Sequence, residues 1–277
     1  MKIRTAVLTA AKRGHTHLPL QTMIDREGYP QTALALQLRE LIDAGIERVG
    51  IVVAPGQAPI FREAVSGLGA RIDFIEQPEA RGFGDAVRRA RDFVNGEAFL
   101  LAVGDHLFIS TNPDKNCARQ LLERAAASET AMAAVQATHE SEIGLYGTIG
   151  GVLEDRERGL FRVRHMVEKP TPTQAEVELL VPGLRSGHYL CFFGLHVLPA
   201  RIFDLLDAAD DGNGPVGLTP ALERLAQEET FHAFEIEGRR YNLEARHGLL
   251  LAQLALALNS RHREEILEHL VRLLAKA

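Results

Sequence analysis

The chain has 277 residues, of which 46% are hydrophobic and 25% charged, and its formal net charge is −6. This composition is typical of a soluble globular protein with one large core, and the negative balance argues against a general nucleic-acid binder. The absence of a long apolar stretch excludes a signal peptide and a membrane span, and the two distant cysteines match no metal spacing, so we expect reduced thiols in a cytoplasmic protein.

The first half of the chain alternates apolar runs with segments of helical periodicity. The predicted strands are 3–9, 48–53, 72–75, 98–103 and 131–136, and the predicted helices are 32–44, 59–66, 84–93 and 116–128. Strands separated by helices indicate an α/β protein with a mostly parallel sheet and helices on both faces.

The second half of the chain has a different pattern. We predict a hairpin of 145–152 with 160–167, strands 188–195 and 231–236, and helices 174–180, 199–206, 245–258 and 264–275. A further helix begins at Thr219-Pro220, with Thr219 as the N-cap. The apolar stripe of the last helix is expected to pack on the parent domain, and a dimer contact is the second interpretation.

The loop after the first strand, residues 10–19, has the position of a phosphate site. Loops at the carboxyl ends of α/β strands present backbone amides to phosphate. Ala10 and Ala11 lead into two cations, Lys12 and Arg13, and a single glycine, Gly14. Phosphate loops need glycines for close approach, so the position indicates a nucleotide while the residues leave the chemistry open.

Asp105 follows an apolar strand and is the best single candidate for chemistry. Magnesium prefers one or two carboxylates together with substrate phosphates, which suits this position; a plain turn after a strand is the alternative. Gln77 offers a donor and an acceptor to a base edge, and Gly82 allows close backbone approach. An ordinary glycine loop is the alternative there.

Glu168 and Lys169 end the second strand of the predicted hairpin. The carboxylate could accept sugar hydroxyls and the Lys could meet a phosphate, whereas taken alone a solvated charge pair is the simpler interpretation. Gly147 could allow another close approach or be a plain strand glycine. His15 and His17, with Asp25 and Glu27, match no zinc spacing, and a solvated loop is favoured over a metal cluster.

Several motifs carry a resemblance to a known family. Val167-Glu168-Lys169-Pro170 is identical to its V-E-K-P, Gln77 and Arg81-Gly82-Phe83-Gly84-Asp85-Ala86-Val87 are similar to its Q and K-G-L-G-H-A-V, and Gly104-Asp105 and Tyr146-Gly147 resemble its P-D and Y-G. In order and spacing, roughly residues 3–275 resemble the bacterial UTP–glucose-1-phosphate uridylyltransferases.

The resemblance implies one nucleotidyltransferase-like domain over 1–277 with a Rossmann-like, mixed and mostly parallel sheet and a small antiparallel subdomain. Its nucleotide-binding half would be 1–138, its sugar-binding half 139–244, and its C-terminal helices 245–277. The implied partners are an NTP and a sugar 1-phosphate, with Mg2+ as cofactor and a homo-oligomer possible. The implied nucleotide site is Ala10, Ala11, Gly14, Gln77, Gly82 and Asp105, with Asp105 also binding Mg2+, and the implied sugar site is Gly147, Glu168 and Lys169.

The first loop departs from the family pattern at its charged positions. The Arg and Lys that grip the triphosphate align with Thr16 and Thr22, while Arg26 replaces a second Lys and Lys12 replaces a glycine. Nucleotidyl transfer depends on positioning and on neutralising charge. We therefore expect Lys12, Arg13 and Arg26, together with Lys169, to supply the catalytic charge.

Late in the chain, the resemblance places Asn242 where the family has a second metal-binding Asp. The first hypothesis is therefore an enzyme that makes UDP-glucose from UTP and glucose 1-phosphate. The alternative is a catalytically impaired relative that binds a nucleotide sugar as a sensor or partner subunit. A third hypothesis is an altered nucleotide or acceptor.

Overall fold

The computed structural model describes residues 2–12, 14 and 17–275. The strands are β1 (Thr5–Thr9), β2 (Thr22–Ile24), β3 (Pro30–Thr32), β4 (Arg48–Val53), β5 (Arg71–Glu76), β6 (Phe99–Val103), β7 (His106–Ser110), β8 (Ala131–His139), β9 (Gly147–Asp155), β10 (Leu160–Glu168), β11 (His188–Leu198), β12 (Phe231–Glu235) and β13 (Gly238–Asn242). The helices are α1 (Ala33–Asp43), α2 (Ala58–Ala64), α3 (Phe83–Arg88), α4 (Arg91–Val94), α5 (Cys117–Ser128), α6 (Pro172–Glu178), α7 (Arg201–Ala209), α8 (Thr219–Glu228), α9 (Gly248–Leu258) and α10 (Arg263–Leu274).

One nine-stranded sheet of order β5-β4-β1-β6-β11-β8-β12-β10-β9 organises the molecule. Strands β5, β4, β1 and β6 are parallel to one another. The residues of β4, β1 and β6 are largely buried and apolar, as strands covered by helices on both faces require. The chain order of these strands reverses at β1, which is the position where ligands bind in open α/β sheets. The predicted α/β class with a mixed sheet is confirmed.

The second half of the sheet curls back on itself. Strand β11 runs antiparallel to β6 and β8, and the predicted hairpin forms as β9 and β10. Strand β9 also pairs with β11, through Leu190 opposite Ile149. Strands β11, β8, β12, β10 and β9 therefore form a closed ring of pairings.

Two small antiparallel sheets lie beside the main sheet, in line with the predicted small antiparallel subdomain, although their individual strands were not predicted. Strand β2 pairs with β3, and β7 pairs with β13 under α9. The predicted helix over 84–93 divides into α3 and α4. In α10 the apolar stripe is only partly packed: Ile266 and Leu267 are half-buried, whereas Leu273 and Leu274 are exposed. No helix in the described ranges is long and apolar enough to cross a membrane.

Glu40 on α1 joins that helix to the start of α5. Its Oε1 accepts a hydrogen bond from the backbone N–H of Ala118 at 2.8 Å, and its carbonyl oxygen accepts one from Asn116 Nδ2 at 2.8 Å. Burial raises the pKa of the Glu40 carboxyl to about 7, against the opposing effects of the Ala118 N–H and the Arg26 charge. Because the folded protein holds this proton more tightly than the unfolded chain, the stability contributed by Glu40 is lost as pH rises from about 4.5 to about 7.

We expect Glu40→Gln to stabilise the protein at pH 8 and to have little effect at pH 5. The amide keeps an acceptor for Ala118 but removes the buried charge, a gain of at most about 3 kcal/mol, or a rise in Tm of roughly 3–8 °C. Thermal melts at the two pH values measure the difference. An equal shift in Tm at both pH values would show that Glu40 does not titrate in this range.

Candidate active site

A cavity of about 650 Å³ lies at the carboxyl ends of β1 and β6. Residues from distant parts of the chain form its wall, and most of the predicted site residues are among them. They are Ala10, Ala11, Lys12, Gln77, Gly82, Asp105, Gly147, Glu168 and Lys169. The structure thus brings the first loop, the glycine loop, the β6 aspartate and the β10 Glu-Lys pair into one site.

Three predicted residues are not placed in this wall. Arg13 lies outside the described residues. Gly14 is exposed, in a turn with φ of +80°, and does not line the cavity. Arg26 is exposed, and its charge acts to lower the pKa of Glu40 on α1. The turn that carries Arg26 is fixed by Asp25, whose Oδ1 accepts the backbone N–H groups of residues 27 and 29, both at 2.9 Å.

These contacts give Asp25 a structural role in the β2–β3 turn. Within residues 2–12, 14 and 17–275, no group of three or more His, Cys, Asp or Glu side chains could hold a metal ion by itself. His15 lies outside the described residues, so the interpretation of this segment as a loop without a metal cluster stays a prediction.

Lys12 is the cation that the described part of the first loop brings to the cavity. Its Nζ forms an ion pair with the carboxylate of Glu244, which also lines the wall. Glu244 follows β13, a strand that was not predicted, and its pairing with Lys12 was not predicted, although the resemblance had placed the neighbouring Asn242 near the metal. The pair keeps Lys12 beside the cavity, where phosphate oxygens could replace the carboxylate as its partner.

The loop that carries Asp105 is fixed by backbone contacts. Gly104 donates its N–H to the carbonyl oxygen of Thr9 at 2.9 Å. A Cβ at position 104 would lie 2.4 Å from that oxygen, so only glycine allows β6 to end this close to β1. Leu243 donates its N–H to the Asp105 carbonyl oxygen at 2.8 Å, which ties the loop to the end of β13.

Gln37 on α1 supports the same loop from the other side. Its Nε2 donates to the carbonyl oxygens of Gly104, at 3.0 Å, and His106, at 2.5 Å. One buried amide therefore holds the carbonyl groups of the two residues that flank Asp105. Sequence analysis missed this role because the partners are 67 and 69 residues away.

Asp105 is held as a carboxylate. Burial alone would raise the pKa of this group, but His106, whose Nδ1 lies 2.5 Å from Oδ1, and the charge of Lys12 lower the pKa below its usual value. Asn242 and Glu244 line the adjacent wall. Oxygen donors of this kind, completed by ligand phosphates, fit a hard divalent cation.

Glu168 is the last residue of β10 and lies opposite Gly147 on β9. Its Oε2 accepts a hydrogen bond from Thr219 Oγ1 at 2.8 Å. A Cβ at position 147 would lie 2.6 Å from the Phe192 ring and 2.9 Å from Glu168 Oε2, so the missing side chain leaves room for the carboxylate. The prediction that Thr219 caps α8 is wrong: Leu218 is the N-cap, and the Thr219 hydroxyl orients Glu168.

Lys169 has a left-handed backbone conformation, with φ of +51°. Its N–H donates to the carbonyl oxygen of Tyr146 at 3.1 Å, which holds the conformation. Non-glycine residues rarely adopt this region, and such strain concentrates at functional sites. The turn places Lys169 in the cavity wall directly after Glu168.

The glycine loop packs closely on the segment before α8. Gly82 has φ of +99°, and a Cβ there would lie 2.6 Å from the carbonyl oxygen of Val216. Val216 in turn donates its N–H to Arg81 O at 2.6 Å and accepts that of Gly84 at 2.9 Å. The loop with Gln77 and the segment leading to Thr219 are therefore one hydrogen-bonded unit.

Comparison with known proteins identifies the family and the fold. The family described as Nucleotidyl transferase matches residues 28–238, which is more than half of the chain. The chain belongs to the nucleotidyl transferase family. Such enzymes generally use a divalent metal ion, and Asp105 of this nucleotidyl transferase is a carboxylate in the cavity wall.

The similar proteins match this nucleotidyl transferase over nearly its whole length. UTP–glucose-1-phosphate uridylyltransferase 2 of Streptococcus pyogenes serotype M3 (strain ATCC BAA-595 / MGAS315) is 27% identical and aligns with 100% of this chain and 97% of its own. The solved UDP-glucose pyrophosphorylase from Acinetobacter baumannii has a TM-score of 0.79 at 22% identity, covering 98% of this chain and 99% of its own. A UDP-glucose pyrophosphorylase complexed with UDP-glucose has a TM-score of 0.74 at 22% identity, covering 91% and 98%.

Proposed function

We propose that this nucleotidyl transferase joins a sugar 1-phosphate to UTP and releases pyrophosphate, and that its simplest product is UDP-glucose. One observation carries the proposal: the Gln77 amide, the Asp105 carboxylate and the Glu168-Lys169 pair line a single cavity. The names of the Streptococcus and Acinetobacter relatives support the choice of substrates.

In this proposal, different residues of the cavity wall bind different parts of the two substrates. Gln77 and Gly82 bind the base, and Lys12 meets the triphosphate. Glu168 accepts sugar hydroxyls while Lys169 binds the sugar phosphate. A phosphate oxygen of the sugar attacks the α-phosphorus of UTP, a bond to that phosphorus forms, and the bond to the departing pyrophosphate breaks.

Asp105 is the proposed ligand of Mg2+, with Asn242 and Glu244 as neighbouring oxygen donors. When bound, Mg2+ supplies positive charge that offsets the charge of the phosphates. The protein's own residues position the two substrates and exclude other orientations. Lys12, Asp105 and Lys169 all line the cavity in which, in this proposal, the two substrates meet.

Pyrophosphate release tests the proposal directly. The purified protein with UTP, glucose 1-phosphate and Mg2+ should release pyrophosphate at a rate that depends on all three. Omitting the sugar phosphate is the control for simple hydrolysis of UTP. A protein that UDP-glucose stabilises against heat but that releases no pyrophosphate would instead be a binder of nucleotide sugars.

A further inference from the structure

The amide of Gln77 is fixed in one orientation at the wall of the cavity. The residue is 4% exposed, and its Nε2 donates to Gly82 O at 3.1 Å and to Asp85 Oδ2 at 2.8 Å. Both partners are acceptors, because one is a carbonyl oxygen and the other a carboxylate. A flipped amide would face these two oxygens with its own oxygen, so the contacts allow a single assignment.

Asp85 is a fully buried carboxylate whose two oxygens have separate partners. Oδ1 accepts from Arg88 at 2.9 Å and from Arg89 at 3.1 Å, which leaves Oδ2 for Gln77. Burial alone would raise the pKa of Asp85, but the hydrogen bonds from Gln77 and Arg88 and the charge of Arg89 outweigh it and lower the pKa. An ionised carboxylate can only accept, so Asp85 cannot adapt to a flipped amide.

Gln77 therefore presents only an acceptor to a ligand. Both N–H groups of its amide are engaged, and none of the hydrogen bonds among the described residues is donated to its Oε1. A base that meets this oxygen must bring an N–H. Uracil and thymine carry an N–H at ring position 3. Cytosine has a lone pair at that position, and this lone pair would be repelled by the partial negative charge of the Gln77 oxygen.

We infer that Asp85 is a positioning residue that acts through Gln77 to select nucleobases with a ring N–H over bases with a ring acceptor. The inference rests on the proposed function for the location of the base. It assigns a role to a residue that does not line the cavity. It also explains why a carboxylate is buried beside two arginines behind the glycine loop.

The ligand-side experiment uses the unaltered protein. Calorimetric titration should show UDP binding at least about tenfold more tightly than CDP, and at least about tenfold more tightly than 3-methyl-UDP, which lacks the N–H. Equal binding of UDP and 3-methyl-UDP would overturn the inference. This readout does not depend on turnover, so it remains valid even if the protein releases no pyrophosphate and the proposed catalysis fails.

The protein-side experiment changes Asp85. In Asp85→Asn the new side chain can donate as well as accept, so Gln77 can flip, and the UDP-to-CDP preference should fall by about tenfold or more. Asp85→Ser, which removes the charge, should shift the preference in the same direction. An unchanged preference in a folded variant would overturn the inference.

Arg89→Gln is the matched control. It removes one ion pair of Asp85 but leaves the contact between Asp85 and Gln77, so the preference for UDP should stay at the wild-type value while Tm falls. If Arg89→Gln lost as much of the UDP preference as Asp85→Asn, loss of packing around the glycine loop rather than the orientation of the Gln77 amide would explain the change. That result would overturn the inference. If neither Asp85 variant folds, equal binding of UDP and 3-methyl-UDP by the unaltered protein would still overturn the inference.

Discussion

Asp105→Ala should reduce pyrophosphate release by on the order of a thousandfold or more while leaving the protein folded. The substitution removes the carboxylate that we propose as the ligand of the divalent ion. The contacts that hold the loop are made by backbone groups, including the Leu243 N–H and the carbonyl oxygens that Gln37 binds, and these remain in the variant.

Two measurements beside activity make this test specific. Binding of Mn2+, followed by its paramagnetic signal in the presence of UTP, should weaken in Asp105→Ala, and Tm should change by only a few degrees. Asp114→Ala is the control, because Asp114 is an exposed aspartate of the loop after β7. Activity within tenfold of wild type in Asp105→Ala would show that another group binds the metal.

Lys169→Ala and Lys169→Gly should both lose at least about a hundredfold in kcat/KM for the sugar phosphate, because both remove the cation. Their stabilities should differ. Alanine keeps the strain of a φ of +51°, whereas glycine adopts this region freely, so Lys169→Gly should melt at a higher temperature than Lys169→Ala.

The pair of variants separates charge from backbone conformation. Activity kinetics and thermal melts of both proteins are the measurements, with Lys115→Ala, which removes an exposed lysine paired with Glu123, as the control. If Lys169→Gly lost activity and Lys169→Ala did not, the backbone turn rather than the ammonium group would be the functional feature.

The sequence predicted the strands that are buried on both faces, because long apolar runs bounded by turn residues have few alternative structures. Strands β1, β4 and β6 are of this kind. Strands β2 and β3 have three residues each, and β13 carries two arginines, so neither length nor alternation marked them. Their pairing depends on tertiary contacts that local pattern does not encode.

The site was predictable where a residue contributes through its position at a strand end. Asp105 and Glu168 are of this kind, and both line the cavity. Thr219 had the local signature of an N-cap, but its hydroxyl bonds a carboxylate 51 residues away. Arg26 kept the charge of an aligned lysine, yet the turn that carries it lies beside α1. The roles of Thr219 and Arg26 depend on how the chain turns and on long-range hydrogen bonds, and neither can be recognised from the neighbouring sequence.

The closed ring of strands makes the direction of Glu168 a consequence of core packing. Successive strand residues face opposite sides, so a shift of β10 by one residue would turn Glu168 away from Thr219 and would also expose the buried Phe161. Both neighbours of β10, strands β9 and β12, would have to shift with it. Insertions or deletions at the hairpin tip, residues 156–159, should therefore leave the direction of Glu168 unchanged, whereas a single deletion inside β10 should alter it.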